Sequence, residues 1–204
     1  KNNLLAMGEE EWRICQSGEP ALDQIIGITH ITKPELFAEL GLNPELPTIV
    51  STFHTDTLTM DITPKLVENV LRGLLAQGYQ LLVTGSNFDE GGAEINERLQ
   101  ELAKQVPHLH FHMSLGQQRY YSMLKYADMV LGNSSSGIIE VQSYNIPAIN
   151  VGSRQQGRLA NPNVMHVAAN AAAVVDAVAK AKTSDFIKQY DSKVNIYGDG
   201  KACR

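Results

Sequence analysis

The chain has 204 residues, 43% of them apolar and 19% charged, which fits one folded globular domain, at most with an appendage, and excludes wholesale disorder. Lys and Arg number 17 against 22 Asp and Glu, a net charge of −5, so the basic surplus of a nucleic-acid-binding surface is absent. Cys15 and Cys203 have no metal-site spacing and form no disulfide framework. With no apolar run of the ~18 residues that span a bilayer and no visible signal peptide, a cytoplasmic protein without a membrane partner is expected.

The chain begins at Lys1 rather than Met and reads as a piece of a longer protein. Residues 1–30 are expected to be the tail of a preceding domain and an interdomain linker, with a strand at 12–15 and a connector at 18–21. From 31 to 204 a single domain is expected. Its first strand is 48–53, entered after Pro47. A helix follows at 64–78, with Leu66, Val67, Val70, Leu71, Leu74 and Leu75 on one face, Pro64 suited to its first turn and Gly78 to its stop. Strands at 81–84, 109–113, 128–131, 147–151 and 164–167 alternate with helices at 93–104, 117–126 and 137–144, and an alanine-rich helix at 169–182 comes last. After that the pattern fades. Strand–helix alternation of this length predicts an α/β fold, a doubly wound parallel sheet with helices on both faces, whose commonest strand order is 3-2-1-4-5-6.

In such a sheet ligands bind outside the carboxyl ends of the strands, where the winding reverses. That places three polar loops together. Strand 1 ends at His54. Strand 4 runs into Gly132-Asn133-Ser134-Ser135-Ser136-Gly137, and strand 5 into Gly152-Ser153-Arg154-Gln155-Gln156-Gly157-Arg158. Small residues at 132–137 let backbone approach a ligand. Ser135 or Ser136 is a natural N-cap, and the free N–H groups and dipole of the next helix favour an anion. A capped turn is the bland alternative; Arg154 and Arg158, with forked donors for phosphate, shift the balance towards a phosphate site. Glu140, one turn further on, suits ribose hydroxyls, or is simply a solvated helix carboxylate. His54 is a candidate general acid or base, or a phosphate donor. Asp56 is too near in sequence to be assumed its orienting partner. The loop 84–92 after strand 2 is a turn that can also reach the ligand through Asn87 or Asp89.

His108, His110 and His112 alternate along strand 3 and so share one face. Same-face neighbours lie ~7 Å apart, too far for three to ligate one ion without bending, so no metal is expected. No Gly-x-Gly-x-x-Gly follows strand 1, and neither a Walker sequence nor a Gly-x-Ser-x-Gly elbow is present, which counts against dinucleotide reduction, P-loop hydrolysis and serine hydrolysis.

Phe53-His54, Ser86-Asn87-Phe88-Asp89, Asn133-Ser134-Ser135-Ser136-Gly137-Ile138-Ile139-Glu140, Arg154-Gln155-Gln156-Gly157-Arg158 and Tyr197-Gly198-Asp199-Gly200 occur in that order. Together they resemble the C-terminal half of the hydrolysing UDP-N-acetylglucosamine 2-epimerases, over most of residues 12–204. Thr55 stands where that family usually has proline. The resemblance implies a Rossmann-like half of a GT-B fold that needs no cofactor. It implies that Ser134, Ser135, Ser136, Gly137 and Arg154 hold the UDP diphosphate, that Glu140 takes the ribose, and that His54 is the functional histidine, with Asn87 among the UDP-binding residues. It further implies a full-length homo-oligomer that turns UDP-N-acetylglucosamine into N-acetylmannosamine and UDP for sialic-acid-type synthesis. The family's catalytic carboxylates belong to the N-terminal half, so this chain alone is expected to be inactive. A GT-B glycosyltransferase, a non-hydrolysing epimerase and a non-catalytic nucleotide-binding domain are the competing readings.

Overall fold

A computed structural model describes residues 1–55, 62–87, 89–191 and 194–203. Asp56 lies outside them. Six strands, β1 (Thr48–Thr52), β2 (Gln80–Thr84), β3 (Leu109–His112), β4 (Met129–Gly132), β5 (Ala148–Val151) and β6 (Val164–Val167), form one sheet in the order β3-β2-β1-β4-β5-β6. Every pairing is parallel. This is the expected doubly wound order, and β3 is an edge strand. The strands read as near-continuous apolar runs because both faces are covered. Ile49, Leu81, Val83, Leu131, Ile149 and Val151 face one core, roofed by α4 (Pro64–Leu75), α5 (Gly92–Gln105) and α8 (Ala171–Ala181). Val50, Leu82, Val130 and Ala148 face the other, roofed by α2 (Pro20–Gly27), α3 (Lys33–Leu40) and α6 (Gly116–Leu124).

Local chemistry sets the helix ends. Thr63 caps α4, its Oγ1 accepting the Leu66 N–H at 3.2 Å with Pro64 in the first turn. Asn170 caps α8 through the Ala173 N–H at 2.8 Å. At the end of α3, Gly41 takes the left-handed conformation (φ 69°) and the Leu42 N–H closes back on the Phe37 carbonyl.

The first forty residues differ from expectation. Residues 11–13 form a short 3-10 turn rather than a strand, with Trp12 largely exposed, and they pair with no strand of the sheet. The connector at 18–21 instead opens α2, with Glu19 as its N-cap and Pro20 in its first turn. Neither α2 nor α3 was expected, and both bury apolar residues against the sheet: Leu22, Ile25, Leu36, Phe37 and Leu40. The helix expected over 137–144 is broken into one α-turn, α7 (Ser136–Ile139), and a 3-10 turn (Val141–Tyr144). Beyond residue 182 there is a further helix, α9 (Ser184–Tyr190), capped by Thr183.

α1 (Asn2–Ala6) buries nothing. Among the described residues no helix is long and apolar enough to cross a membrane.

Candidate functional site

The β1–β4 ladder ends at the pair Thr52–Gly132. There the two backbones come so close that a Cβ on Gly132 would lie 1.8 Å from the Thr52 carbonyl oxygen, and Gly132 has φ +140°. Only glycine fits. Just past this point Asn133, with no exposed surface, exchanges two hydrogen bonds with the backbone of His54. The His54 N–H donates to Oδ1 at 2.7 Å, and Nδ2 donates to the His54 carbonyl at 2.8 Å. The Asn133 carbonyl accepts Arg154 Nη1 at 3.1 Å and Gln155 Nε2 at 2.9 Å. The ends of β1, β4 and β5 therefore meet at one residue.

The His54 ring is oriented by the Asn87 backbone N–H, which donates to Nδ1 at 3.0 Å. An acceptor at Nδ1 leaves the proton on Nε2. Burial, then the Arg154 charge, lower the His54 pKa to about 4 against a smaller upward pull from Asp89. His54 is thus a neutral imidazole with an N–H to offer at neutral pH, not a resident cation. Arg154 is half-buried and, among the described residues, has no carboxylate partner.

A cleft of about 500 Å³ opens over this corner. Of the expected site residues, His54, Ser134, Ser136 and Glu140 line it, opposite the loop Met113–Gly116 and the tyrosines Tyr120 and Tyr121. Ser135, Gly137, Asn87 and Arg154 are not in its wall. The Asn87 side chain is turned to Asp89, and its contribution is the backbone N–H on His54. Arg158 lines a separate cleft of about 470 Å³ with Gly152, Ser153 and His166, so the two arginines do not converge.

The serine loop also differs in detail. Ser135 occupies the N-cap position with helical dihedrals and makes no cap bond; Ser134 Oγ accepts the Ser136 N–H instead, at 3.4 Å. α7 is a single turn, so its dipole is slight, and charge complementarity at this corner comes from hydroxyls, His54 and Arg154. Ser136 Oγ donates to Glu140 at 2.6 Å and lies 2.6 Å from the Tyr120 hydroxyl, which must donate because the single serine proton is already used. Tyr121 also bonds Glu140. Burial, the largest influence, raises the Glu140 pKa, with these hydrogen bonds opposing it. Glu140 is therefore a held, half-buried acceptor and not the solvated helix carboxylate of the bland alternative. The two tyrosines were missed in the sequence because their partners sit 16 and 19 positions away.

At the sheet edge, His108 stands outside β3 with φ 66°, leaving only His110 and His112 on the strand. Among the described residues no group of three His, Cys, Asp or Glu side chains is placed to hold a metal.

The family model described as UDP-N-acetylglucosamine 2-epimerase matches residues 1–204. The chain is 33% identical over 201 residues to the UDP-N,N'-diacetylbacillosamine 2-epimerase (hydrolyzing) of Legionella pneumophila, covering 98% of this chain and 52% of the relative. It is 35% identical over 167 residues to the GDP/UDP-N,N'-diacetylbacillosamine 2-epimerase (hydrolyzing) of Campylobacter jejuni, covering 81% and 44%. The crystal structure of UDP-GlcNAc 2-epimerase from Neisseria meningitidis bound to UDP-GlcNAc superposes with a TM-score of 0.77 at 14% identity, over 98% of this chain and 56% of that one. The fold is that of a Rossmann-like half of these GT-B structures, and the chain spans about half the length of the curated relatives it matches.

Proposed function

The chain belongs to the UDP-N-acetylglucosamine 2-epimerase family, and from that footing we propose that it is the UDP-binding half of a hydrolysing 2-epimerase acting on a UDP-amino sugar. The observation that carries the reading is the convergence on one corner of a neutral histidine N–H, a half-buried guanidinium and serine hydroxyls, with a held carboxylate on the cleft beside them. Diphosphate fits the first group and ribose hydroxyls fit Glu140. The base is left for the loop Met113–Gly116. The domain boundary near residue 30, the placement of this half at the C-terminus, the cytoplasm and a homo-oligomeric whole enzyme belong to the same proposal.

In this reading a base in the partner half removes the C2 proton as the C1–O bond breaks. The bond's electrons leave with UDP, a glycal-like intermediate forms, and water adds at C1 while a proton returns to the opposite face of C2. The product from UDP-N-acetylglucosamine is N-acetylmannosamine plus UDP, the first step of sialic-acid-type synthesis. His54 Nε2–H, Arg154 and the serines meet charge that grows on the departing diphosphate, which is where fixed donors accelerate such a step. The hydrolysing outcome is favoured over simple epimerisation because both relatives above 30% identity named here carry "hydrolyzing" in their names.

The full-length protein incubated with UDP-N-acetylglucosamine or its 2,4-diacetamido counterpart is expected to release UDP and free 2-epimeric sugar. Recovery of the nucleotide-linked epimer alone would overturn hydrolysis, and turnover only with an added acceptor would make it a transferase. In the chain itself UDP is expected to bind more tightly than uridine in calorimetry. Arg154→Ala should cost about 1.5–3 kcal/mol of UDP affinity, the range for a hydrogen bond to a charged group. Equal affinity for UDP and uridine would reduce the serine loop to an ordinary turn.

A further inference from the structure

We propose that Asn133 is a positioning residue for the cleft, holding the histidine and the arginine in one frame. The inference rests on the UDP site proposed above and deepens it. The β1 ladder stops at Thr52, two residues short of His54, so no strand pairing fixes the His54 backbone. Asn133 does so in its place. Its N–H donates to the Thr52 carbonyl at 3.1 Å, its Oδ1 accepts the His54 N–H and its Nδ2 donates to the His54 carbonyl. This reciprocal pair needs a donor and an acceptor on one planar group of this length. An amide has both, an ionised carboxylate lacks the donor, and a hydroxyl is too short to span both. The peptide that carries this side chain also presents the carbonyl that holds Arg154 and the buried Gln155. A displacement of Asn133 therefore moves the ring that faces the cleft and the guanidinium together. Among the described residues, the charged groups acting on His54 are Arg154 and Asp89.

The test compares Asn133→Asp and Asn133→Ser with the wild-type chain, by UDP and uridine titration and by nitrogen NMR of the His54 ring. Asn133→Asp keeps the acceptor, loses the donor and sets a carboxylate beside His54 and Arg154. Both variants are expected to lose at least tenfold in UDP affinity with uridine affinity unchanged. Asn133→Asp is also expected to raise the His54 titration midpoint and to mix its tautomers. A purely structural role would lower the melting temperature and weaken both ligands alike. A folded variant that binds UDP within twofold of wild type, with the His54 titration unmoved, overturns the inference. If wild-type chain shows no preference for UDP over uridine, the UDP reading fails, and the His54 titration in Asn133→Asp still decides whether the clamp holds. Should neither variant fold, amide exchange in wild type decides: strong protection of the His54 N–H supports the clamp, and exchange at the rate of an open loop overturns it.

Discussion

His54 and Glu140 are both held away from their ordinary pKa values, in ways that oppose each other in stability. His54 falls from 6.5 to about 4 in the fold. Between those values the unfolded chain takes up a proton that the folded chain refuses, so stability is lost as pH falls from 6.5 towards 4, by up to ~3 kcal/mol. Chemical denaturation at stepped pH should show this loss in wild type and less of it in His54→Gln, which does not titrate. Glu140 is raised, chiefly by burial. Its ionised form strains the fold at neutral pH, and that strain is relieved as pH falls through its folded pKa. Glu140→Gln should therefore melt higher than wild type at pH 7 and yet bind UDP more weakly, since the amide offers ribose one acceptor fewer. A variant that is both less stable and equally tight would remove Glu140 from the site. Diphosphate beside His54 should also raise its pKa, so UDP binding below pH 6 is expected to take up a proton. Calorimetry in two buffers of different ionisation enthalpy measures this directly.

The turn from β4 into α7 is the element on which the site depends. Gly132 lets β4 touch β1, and Asn133 then reaches His54. Gly132→Ala places a methyl group on the Thr52 carbonyl oxygen and asks alanine for a left-handed φ, so the variant should lose ~2–3 kcal/mol or more in chemical denaturation. UDP affinity should fall in parallel because the His54 clamp moves with the strand. By contrast, the one-turn α7 adds little helix dipole, and lengthening it is not expected to tighten UDP. The one element whose dipole was expected to matter is a single α-turn, because the chain tightens after Glu140 into the 3-10 turn Val141–Tyr144.

At the scale of the whole molecule, the sheet carries a closed core on each face, built entirely from this chain. The chain should therefore melt cooperatively by itself and bind UDP. It should not turn over UDP-N-acetylglucosamine, because proton removal and return at C2 call for acid–base groups placed on the sugar, and an open cleft leaves its electrostatic contacts exposed to water. The assay is UDP release by purified chain of verified fold. Turnover near that of the full-length protein would overturn the two-half mechanism and put the acid–base groups in this chain. A melt without cooperativity would show that the folded unit extends beyond it.

The amino-acid sequence by itself determined the six strands and the doubly wound class, and the commonest order of that class already placed the cleft; the order itself is settled only by the pairing of the strands. Buried parallel strands are runs such as Leu81-Leu82-Val83, helices are the periodic stretch 64–75, and both signals are local. It also brought His54, the serines and Glu140 forward, because their types and their places after strands are readable in order along the chain. It did not show α2 and α3, which at eight residues each are too short for a clear helical period and whose apolar residues are meaningful only against the sheet they cover. Nor did it show that Arg158 parts from Arg154, that Asn87 acts through its backbone, or that Tyr120 and Tyr121 hold the serine–glutamate pair. Those were decided by tertiary structure, because hydrogen bonds between residues as distant as Asn133 and His54 depend on where the ends of two strands meet, and no local pattern records that meeting.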